Sequence, residues 1–253
     1  MRLVSYNILN GGEGRADPLG EVIEAARPDV VALIEADNLS VVERIAARLK
    51  MDYVIGQGKR AVALLSRWVI RDSINHAALL PEGPRCLLEA TMIDGGGREW
   101  PVAALHFVPH THDADEQRRE RELAAVLDTF APHRRANRPH LICGDFNANA
   151  PTQQIDIAKA HPPTREAYAA NGNAIPRRVV PLLEQAGYVD TLRAVAGTRA
   201  DTTATFTTLH PQQRVDYVFA WGYDRSQITD AWVEHDRLAK CASDHYPVGV
   251  EIS

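Results

Sequence analysis

Short, almost wholly apolar runs alternate along the chain with longer segments whose apolar residues recur every three or four positions. The first kind reads as strand buried on both faces, the second as helix with one buried face. Leu3 to Ile8, Asp29 to Ile34, Tyr53 to Ile55, Ala61 to Leu65, His140 to Cys143, Arg214 to Ala220, Ile228 to Val233 and Tyr246 to Ile252 are predicted strands. Arg85 to Ile93 and Arg98 to Phe107 flank Asp94-Gly95-Gly96-Gly97 and read as a hairpin. Asp17 is expected to cap a helix with Pro18 in its first turn and Leu19, Val22, Ile23 and Ala26 on one face, ended by Pro28. Ser40 and Glu43 have capping-box spacing ahead of a helix carrying Val42, Ile45, Ala46 and Leu49. Asp113 to Phe130 and Pro181 to Ala186 are further helices, the second stopped by Gly187 just past its end. Residues 150–174, polar and rich in Pro and Asn, read as loop with short helical pieces. Strands and helices alternate without an internal repeat or a linker, so a single α/β domain over residues 1–253 is expected.

Composition narrows the class without changing this picture. A chain of 253 residues, 45% hydrophobic and 24% charged, can bury a substantial core and is not disordered. A net charge of −5 offers no global field for nucleic acid, so such a contact needs a local patch or bound cations. Cys86, Cys143 and Cys241 form neither a disulfide framework nor a close metal-binding pair and suit a reducing compartment. The N-terminus opens on a strand pattern, not a signal peptide, and no apolar run is long enough to span a bilayer. A cytoplasmic protein without a membrane span is the expectation. No heptad or exposed apolar stripe points to an oligomeric state.

Polar residues stand at the ends of the apolar strands. Asn7 closes the first, Glu35 follows Leu33-Ile34, and His106 follows Ala104-Leu105. Asp145 and Asn147 follow Leu141-Ile142-Cys143-Gly144, Asp216 lies within Arg214-Val215-Asp216-Tyr217, and Asp244-His245 precede Tyr246-Pro247-Val248. Ionisable groups there are costly unless they are paired, hold metal or do chemistry. Strand ends are also where open α/β sheets bind ligands. Four carboxylates, two carboxamides and two imidazoles make an oxygen-rich set that suits Mg²⁺ or Mn²⁺ over zinc. A neighbouring His and Asp supply a charged donor or a tuned base. Such a set can drive attack of water on a phosphoester.

Six segments in order resemble the motifs of the endonuclease/exonuclease/phosphatase superfamily: Ser5-Tyr6-Asn7, Leu33-Ile34-Glu35, Leu105-His106-Phe107, Gly144-Asp145-Phe146-Asn147, Arg214-Val215-Asp216-Tyr217 and Ser243-Asp244-His245-Tyr246-Pro247-Val248. They span nearly the whole chain. The family includes abasic-site endonucleases, DNase I-like nucleases, neutral sphingomyelinases, inositol polyphosphate phosphatases, deadenylases and tyrosyl-DNA phosphodiesterases. The resemblance implies a four-layer α/β sandwich, two packed mixed sheets with helices outside. It implies Glu35 as the main ligand of Mg²⁺ or Mn²⁺ with Asn7 beside it, and Asp244 supporting the metal or the His loop. It implies that Asp145 orients or deprotonates the attacking water and that Asn147 holds that water or a phosphate oxygen. His245, oriented by Asp216, would contact the scissile phosphate, as would His106. Which of Asp145 and His245 takes the proton, and whether one metal or two act, stay open. Leu9 stands where abasic-site endonucleases usually carry Asp, which argues against that member of the family without touching the core chemistry.

Other patterns carry less. His106, His110 and His112 approach a His-x-His-x-Asp-His zinc pattern, but Ala114 and Asp115 break it, so His110 and His112 read as loop residues near the mouth of a cleft. Arg118, Arg119 and Arg121 interleave with Glu116, Glu120 and Glu122, which reads as ion pairs on a solvated helix face. Arg134, Arg135 and Arg138, and Arg177 with Arg178, could be either a backbone-binding patch or more of the same. Trp68, Trp100, Trp221 and Trp232 lie in strand-like segments and read as packing. The stretch from His161 to Pro176 is either a substrate-shaping loop or a surface excursion. The functional expectation is a Mg²⁺- or Mn²⁺-dependent phosphodiesterase, nuclease-like, acting on DNA, RNA or another phosphoester. Its rivals are a phosphatase or diesterase on a small molecule or lipid head group, and an inactive adaptor of the same fold, which should show eroded motifs.

Overall fold

The computed structural model describes residues 1–56, 60–80 and 83–253. The apolar runs become strands of two six-stranded mixed sheets. The first contains β1 (Arg2–Asn7), β2 (Val30–Ile34), β3 (Asp52–Gly56), β4 (Val62–Ser66), β11 (Ile228–Val233) and β12 (Val248–Ile252), in the order β11-β12-β1-β2-β4-β3. The second contains β5 (Val69–Asn75), β6 (Cys86–Ile93), β7 (Glu99–His106), β8 (His140–Asp145), β9 (Val189–Asp190) and β10 (Asp216–Trp221), in the order β5-β6-β7-β8-β10-β9. Each sheet has one parallel pair, β1/β2 and β7/β8, flanked by antiparallel neighbours.

The period of two along a strand explains why these runs are apolar throughout. Val30, Ala32 and Ile34 face the space between the sheets, where they meet Leu88, Ala104 and Cys143. Val31 and Leu33 face outward beneath α1 (Ala16–Ala25), α2 (Leu39–Leu49) and α7 (Arg237–Ala242), with Leu19, Ile23, Val42, Ile45 and Ala239 supplying the helix side. The outer face of the second sheet is covered by α3 (Asp113–Arg135) and α5 (Val179–Gln185) through Leu123, Val126, Phe130 and Leu183. Leu192, Ala194 and Val195 of α6 (Thr191–Ala196) pack against the core between the sheets. Helix, sheet, sheet, helix is the four-layer arrangement the motifs implied.

Several local expectations need correction. Asp17 does not cap α1: Arg15 occupies the cap position without a side-chain bond, and Asp17 instead pairs with Arg44 at 2.5 Å. The cap of α2 is Asn38, whose Oδ1 accepts from the Ser40 N–H at 3.1 Å, while Glu43 accepts from Tyr53 Oη; the Ser40/Glu43 box is not formed. α3 runs on to Arg135, past Phe130 and through Pro132. The sequence pattern does not mark β5, β9, α6 or α7. The hairpin at Asp94 is as expected, with Asp94 Oδ1 accepting from the Gly96 and Arg98 amides. Trp68, Trp100 and Tyr223 stack in sequence, so those tryptophans pack.

The arginine clusters are also resolved. Glu116, Arg119 and Glu122 are ion-paired on α3 but buried, not solvated. The reason is tertiary: Glu116 Oε1 accepts from the Arg178 and Val179 amides at the start of α5, Glu122 accepts from the Val108 amide, and Arg119 donates to the Val108 and His110 carbonyls. Arg178 pairs with Asp113 and Glu120, Arg138 with Glu99, and Arg177 donates to the Ala150 and Gln153 carbonyls. Arg134 donates to the Leu127 carbonyl. These residues support the structure around them and do not form a free basic patch.

Candidate active site

The two parallel pairs end at one cleft. Asn7 and His106 are the last residues of β1 and β7, Glu35 follows β2, and Asp145 closes β8 in register with His106. A close backbone approach makes this possible. Gly144 has φ +137, and a Cβ there would lie 2.0 Å from the Leu105 carbonyl oxygen, so the glycine of Gly-Asp-Phe-Asn is required where β8 crowds β7. β10 then places Asp216 directly opposite Asp145. Two carboxylates facing each other across a ladder repel.

Neutral donors and one imidazole absorb that repulsion in part. Asp145 Oδ2 accepts from Asn7 Nδ2 at 3.1 Å, and Oδ1 accepts from the Asn147 N–H at 2.9 Å. His245 Nδ1 donates to Asp216 Oδ2 at 2.9 Å, while its Nε2 stands 3.8 Å from Asp145 Oδ2. That separation is too long for a hydrogen bond and leaves both groups free to engage a third oxygen. His106 Nε2 lies 3.5 Å from the same carboxylate oxygen. The Ser243 hydroxyl donates to the Asn7 carbonyl at 2.7 Å and ties the Ser-Asp-His segment to β1. Thr205 Oγ1 receives the Val215 and Asp216 amides, and the Phe206 ring stands 4.7 Å from the His245 ring.

Burial and mutual charge set the protonation states. Burial, followed by the facing Asp216, pushes the Asp145 carboxyl up to about 7. Burial acts against a charged His245, but Asp216, by charge and by hydrogen bond, outweighs it and lifts the imidazolium to about 10. Burial, helped by the Arg60 charge, drops His106 to about 3, so it is neutral near pH 7. The cleft floor therefore combines a carboxyl poised near neutrality with a charged imidazole and a neutral one.

The cleft has a volume of ≈ 380 Å³. Of the ten non-glycine residues with positive φ among the described residues, six line it: Leu9, Asn10, Glu35, Arg60, His110 and Asn147. Strain of this kind persists only where surrounding structure enforces it, and it gathers at functional sites. A larger hollow of ≈ 540 Å³ runs between Met51–Val54 and Val69–Ser73, but none of the converging groups reaches it.

All eight residues read from the sequence are therefore near one another. Asn7, Asp145, Asp216, His245 and His106 form one contact network, and Glu35, Asn147 and Asp244 line the same cleft. His110 and His112 are loop residues on its wall, and the His161 region supplies helix α4 (Pro162–Ala170), whose Pro163, Thr164 and Glu166 face the cleft. Sequence reading missed Arg60, which pairs with Glu35, and Phe206 beside His245. Arg60 stands just before a predicted strand and Phe206 outside any, and neither lies in a recurring motif.

Among the described residues, Asp145, Asp216 and His245 are the one group of three metal-capable His, Cys or acidic side chains whose donor atoms lie within 4.8 Å of one another. Its short Asp216–His245 bond already engages one ring nitrogen. Two observations suit a hard cation on the adjoining side of the cleft. The donors are mostly oxygens, and Asp244 Oδ1 is buried without a hydrogen-bond partner among the described residues.

The fold and this convergence define an α/β sandwich with an acid–imidazole centre at its strand ends. The chain belongs to the Endonuclease/Exonuclease/phosphatase family, which it matches over residues 4–245. No curated protein sequence matches it. Among solved structures it is similar to the 3′ phosphatase NExo from Neisseria bound to product DNA hairpin, with 19% identity, 100% of this chain and 99% of that one covered, and a TM-score of 0.75. It is similar to an AP endonuclease from Archaeoglobus fulgidus (19% identity, 100% and 99% covered, TM-score 0.70) and to truncated TDP2 from Caenorhabditis elegans (14%, 100% and 97%, 0.68). These likenesses establish the sandwich fold. No helix among the described residues is long and apolar enough to cross a membrane.

Proposed function

We propose that the protein is a divalent-metal-dependent phosphoester hydrolase, a phosphodiesterase of nuclease type. The observation that carries this reading is the Asp216–His245–Asp145 arrangement, in which a charged imidazole and a near-neutral carboxyl face one space at the ends of strands from both sheets. Asp145, held by Asn7 and the Asn147 amide, takes a proton from water. His245, kept charged by Asp216, presents Nε2–H to a phosphate oxygen as charge builds there. Asn147 and neutral His106 supply further donors, and His106 does so without adding charge. Glu35 and Asn7, with Asp244 beside them, would hold Mg²⁺ or Mn²⁺, which when bound acts as a Lewis acid on the phosphate. Nucleic acid is the favoured substrate because the similar structures include a phosphatase bound to product DNA hairpin and an AP endonuclease. A terminal phosphomonoester is the second reading, favoured by a cleft walled on one side by α4 and the loop carrying His110 and His112.

The test uses an end-labelled duplex with one abasic site, a linear oligonucleotide with a 3′-phosphate, and bis-p-nitrophenyl phosphate as a generic diester, with Mg²⁺ or Mn²⁺. EDTA and Asp145→Ala serve as controls. Metal-dependent hydrolysis of any of them, lost in both controls, is the expected result. The pattern across the panel separates diesterase from monoesterase. Absence of turnover on every substrate with metal present would sink the reading.

A further inference from the structure

Both oxygens of Glu35 are engaged. Oε2 accepts from the Asn10 N–H at 2.7 Å, and Oε1 is paired with the Arg60 guanidinium. The two ends of this pair are unequal. The Glu35 side chain is 6% exposed and Arg60 37%. The backbone around Arg60 is pinned: its carbonyl accepts the Cys86 thiol, the Ala61 amide donates to Asp37 Oδ1 at 2.8 Å, and the Ala61 carbonyl accepts from the Ala36 amide at 2.7 Å. Arg60 itself holds φ +69. The side chain, by contrast, is long and partly solvated, and Glu35 is its one hydrogen-bonded partner among the described residues. It reaches into the cleft that also contains His106, Asn147 and His245.

A divalent cation on Glu35 and a guanidinium on the same carboxylate would be like charges within a few ångströms, at a site that water screens poorly. A guanidinium is also a planar fork matched to phosphate oxygens. We propose that Arg60 is an exchangeable counter-charge: it neutralises Glu35 in the metal-free protein, is displaced by a divalent cation, and then binds a non-bridging oxygen of the substrate phosphate. This rests on the reading of Glu35 as a metal ligand. It makes metal binding and phosphate binding successive uses of one arginine.

The experiment is calorimetric titration of Mn²⁺, without substrate, into the whole chain and into Arg60→Gln, Arg60→Lys and Glu35→Gln. Inorganic phosphate is then titrated into each Mn²⁺-loaded protein. Arg60→Gln should bind Mn²⁺ about two- to fivefold more tightly, the worth of a partly exposed pair removed as competitor. It should bind phosphate about tenfold or more weakly. Arg60→Lys, which keeps the charge and loses the fork, should hold Mn²⁺ like the wild type and phosphate less well; it also serves if the Gln variant does not fold. Unchanged or weaker Mn²⁺ binding in a folded Arg60→Gln, or unchanged phosphate binding, overturns the proposal alone. A wild type that binds no Mn²⁺, or a Glu35→Gln that binds it equally well, overturns the Glu35 reading and this proposal with it.

Discussion

Two parts of the molecule bury charge, and they do it differently. At the edge of the second sheet Arg214 makes two bonds to Asp190, Nη1 to Oδ1 at 2.9 Å and Nη2 to Oδ2 at 2.7 Å, and both residues are buried. On α3, Glu116 and Arg119 are equally hidden and bonded, and together they fix the 108–110 loop and the start of α5. In the cleft, Asp145 faces Asp216 in register, His106 Nδ1 and Asp244 Oδ1 lack partners among the described residues, and the backbone carries left-handed residues. The first kind of burial has its charge compensated within the chain, although Arg214 Nε itself has no partner among the described residues. The second is left short of positive charge and donors. Facing buried carboxylates whose charge the fold does not balance, at the ends of strands and open to a cleft, suit a site for something from outside.

The contrast can be broken first at Arg214. Asp190→Asn leaves a buried guanidinium without its counter-charge and should cost about 3–5 kcal/mol in urea unfolding. Activity per folded molecule should change far less. The opposite outcome is expected for Asp145→Asn: hydrolysis falls by about 10²- to 10³-fold or more, while the thermal midpoint holds or rises. The sign follows from the raised carboxyl. Its folded-state value lies above the ordinary 3.8, so the ionised form is the costly one, and stability attributable to it declines as pH rises from about 4 through about 7. A lower thermal midpoint for Asp145→Asn at pH 8 would remove the distinction between the two kinds of site.

On the proposed function, the same groups set the pH dependence of turnover. Activity should rise through about pH 7 as Asp145 ionises and decline near pH 10 as His245 loses its proton. Asp216→Asn should pull the upper limb down, and a flat profile in wild type would separate these two residues from the chemistry. The smallest effect is at Glu89, a compensated site. Its carboxylate lies between His76 at 2.8 Å and His133 at 2.9 Å. Burial opposes its charge, yet these imidazoles hold it down at about 2. The depressed value means stability present above about 4.5 and lost as pH falls toward 2. Glu89→Gln should flatten that acid limb and lower stability at neutral pH, where the slope of the profile stays unchanged.

How much of this the sequence showed depended on whether the signal was local. Strands with both faces buried, such as β2 and β8, announce themselves by composition alone. β5, an exposed edge strand reading Val69-Ile-Arg-Asp-Ser-Ile-Asn75, has no such run. Helix starts failed for a related reason. Asp17 and Ser40 have the right chemistry for a cap, but which residue takes the cap is decided by the turn before it, and Asn38 took it in α2. The eight cleft residues were legible because strand ends are where a sheet delivers side chains, and each sits in a short motif. Arg60 and Phe206 were not, since their roles depend on what lies across the cleft. Glu116 and Arg119 looked like ordinary surface ion pairs, and only packing against the 108–110 loop and α5 removed them from water.

The position of β12 has a bearing on the order in which this protein can form as it is synthesised. The second sheet draws all its strands from one unbroken stretch, Val69 to Trp221, and can be assembled before later residues exist. The first sheet cannot. β12 lies inside it, between β11 and β1, and the Ile252 amide and carbonyl both bond Met1. Until those last strands arrive, β1 has one open edge, Asn7 lacks the Ser243 tether, and Asp216 lacks its histidine. A nascent chain that stops short of β12 therefore has the cleft only in part, and the complete set of cleft residues comes together once β12 pairs with β1.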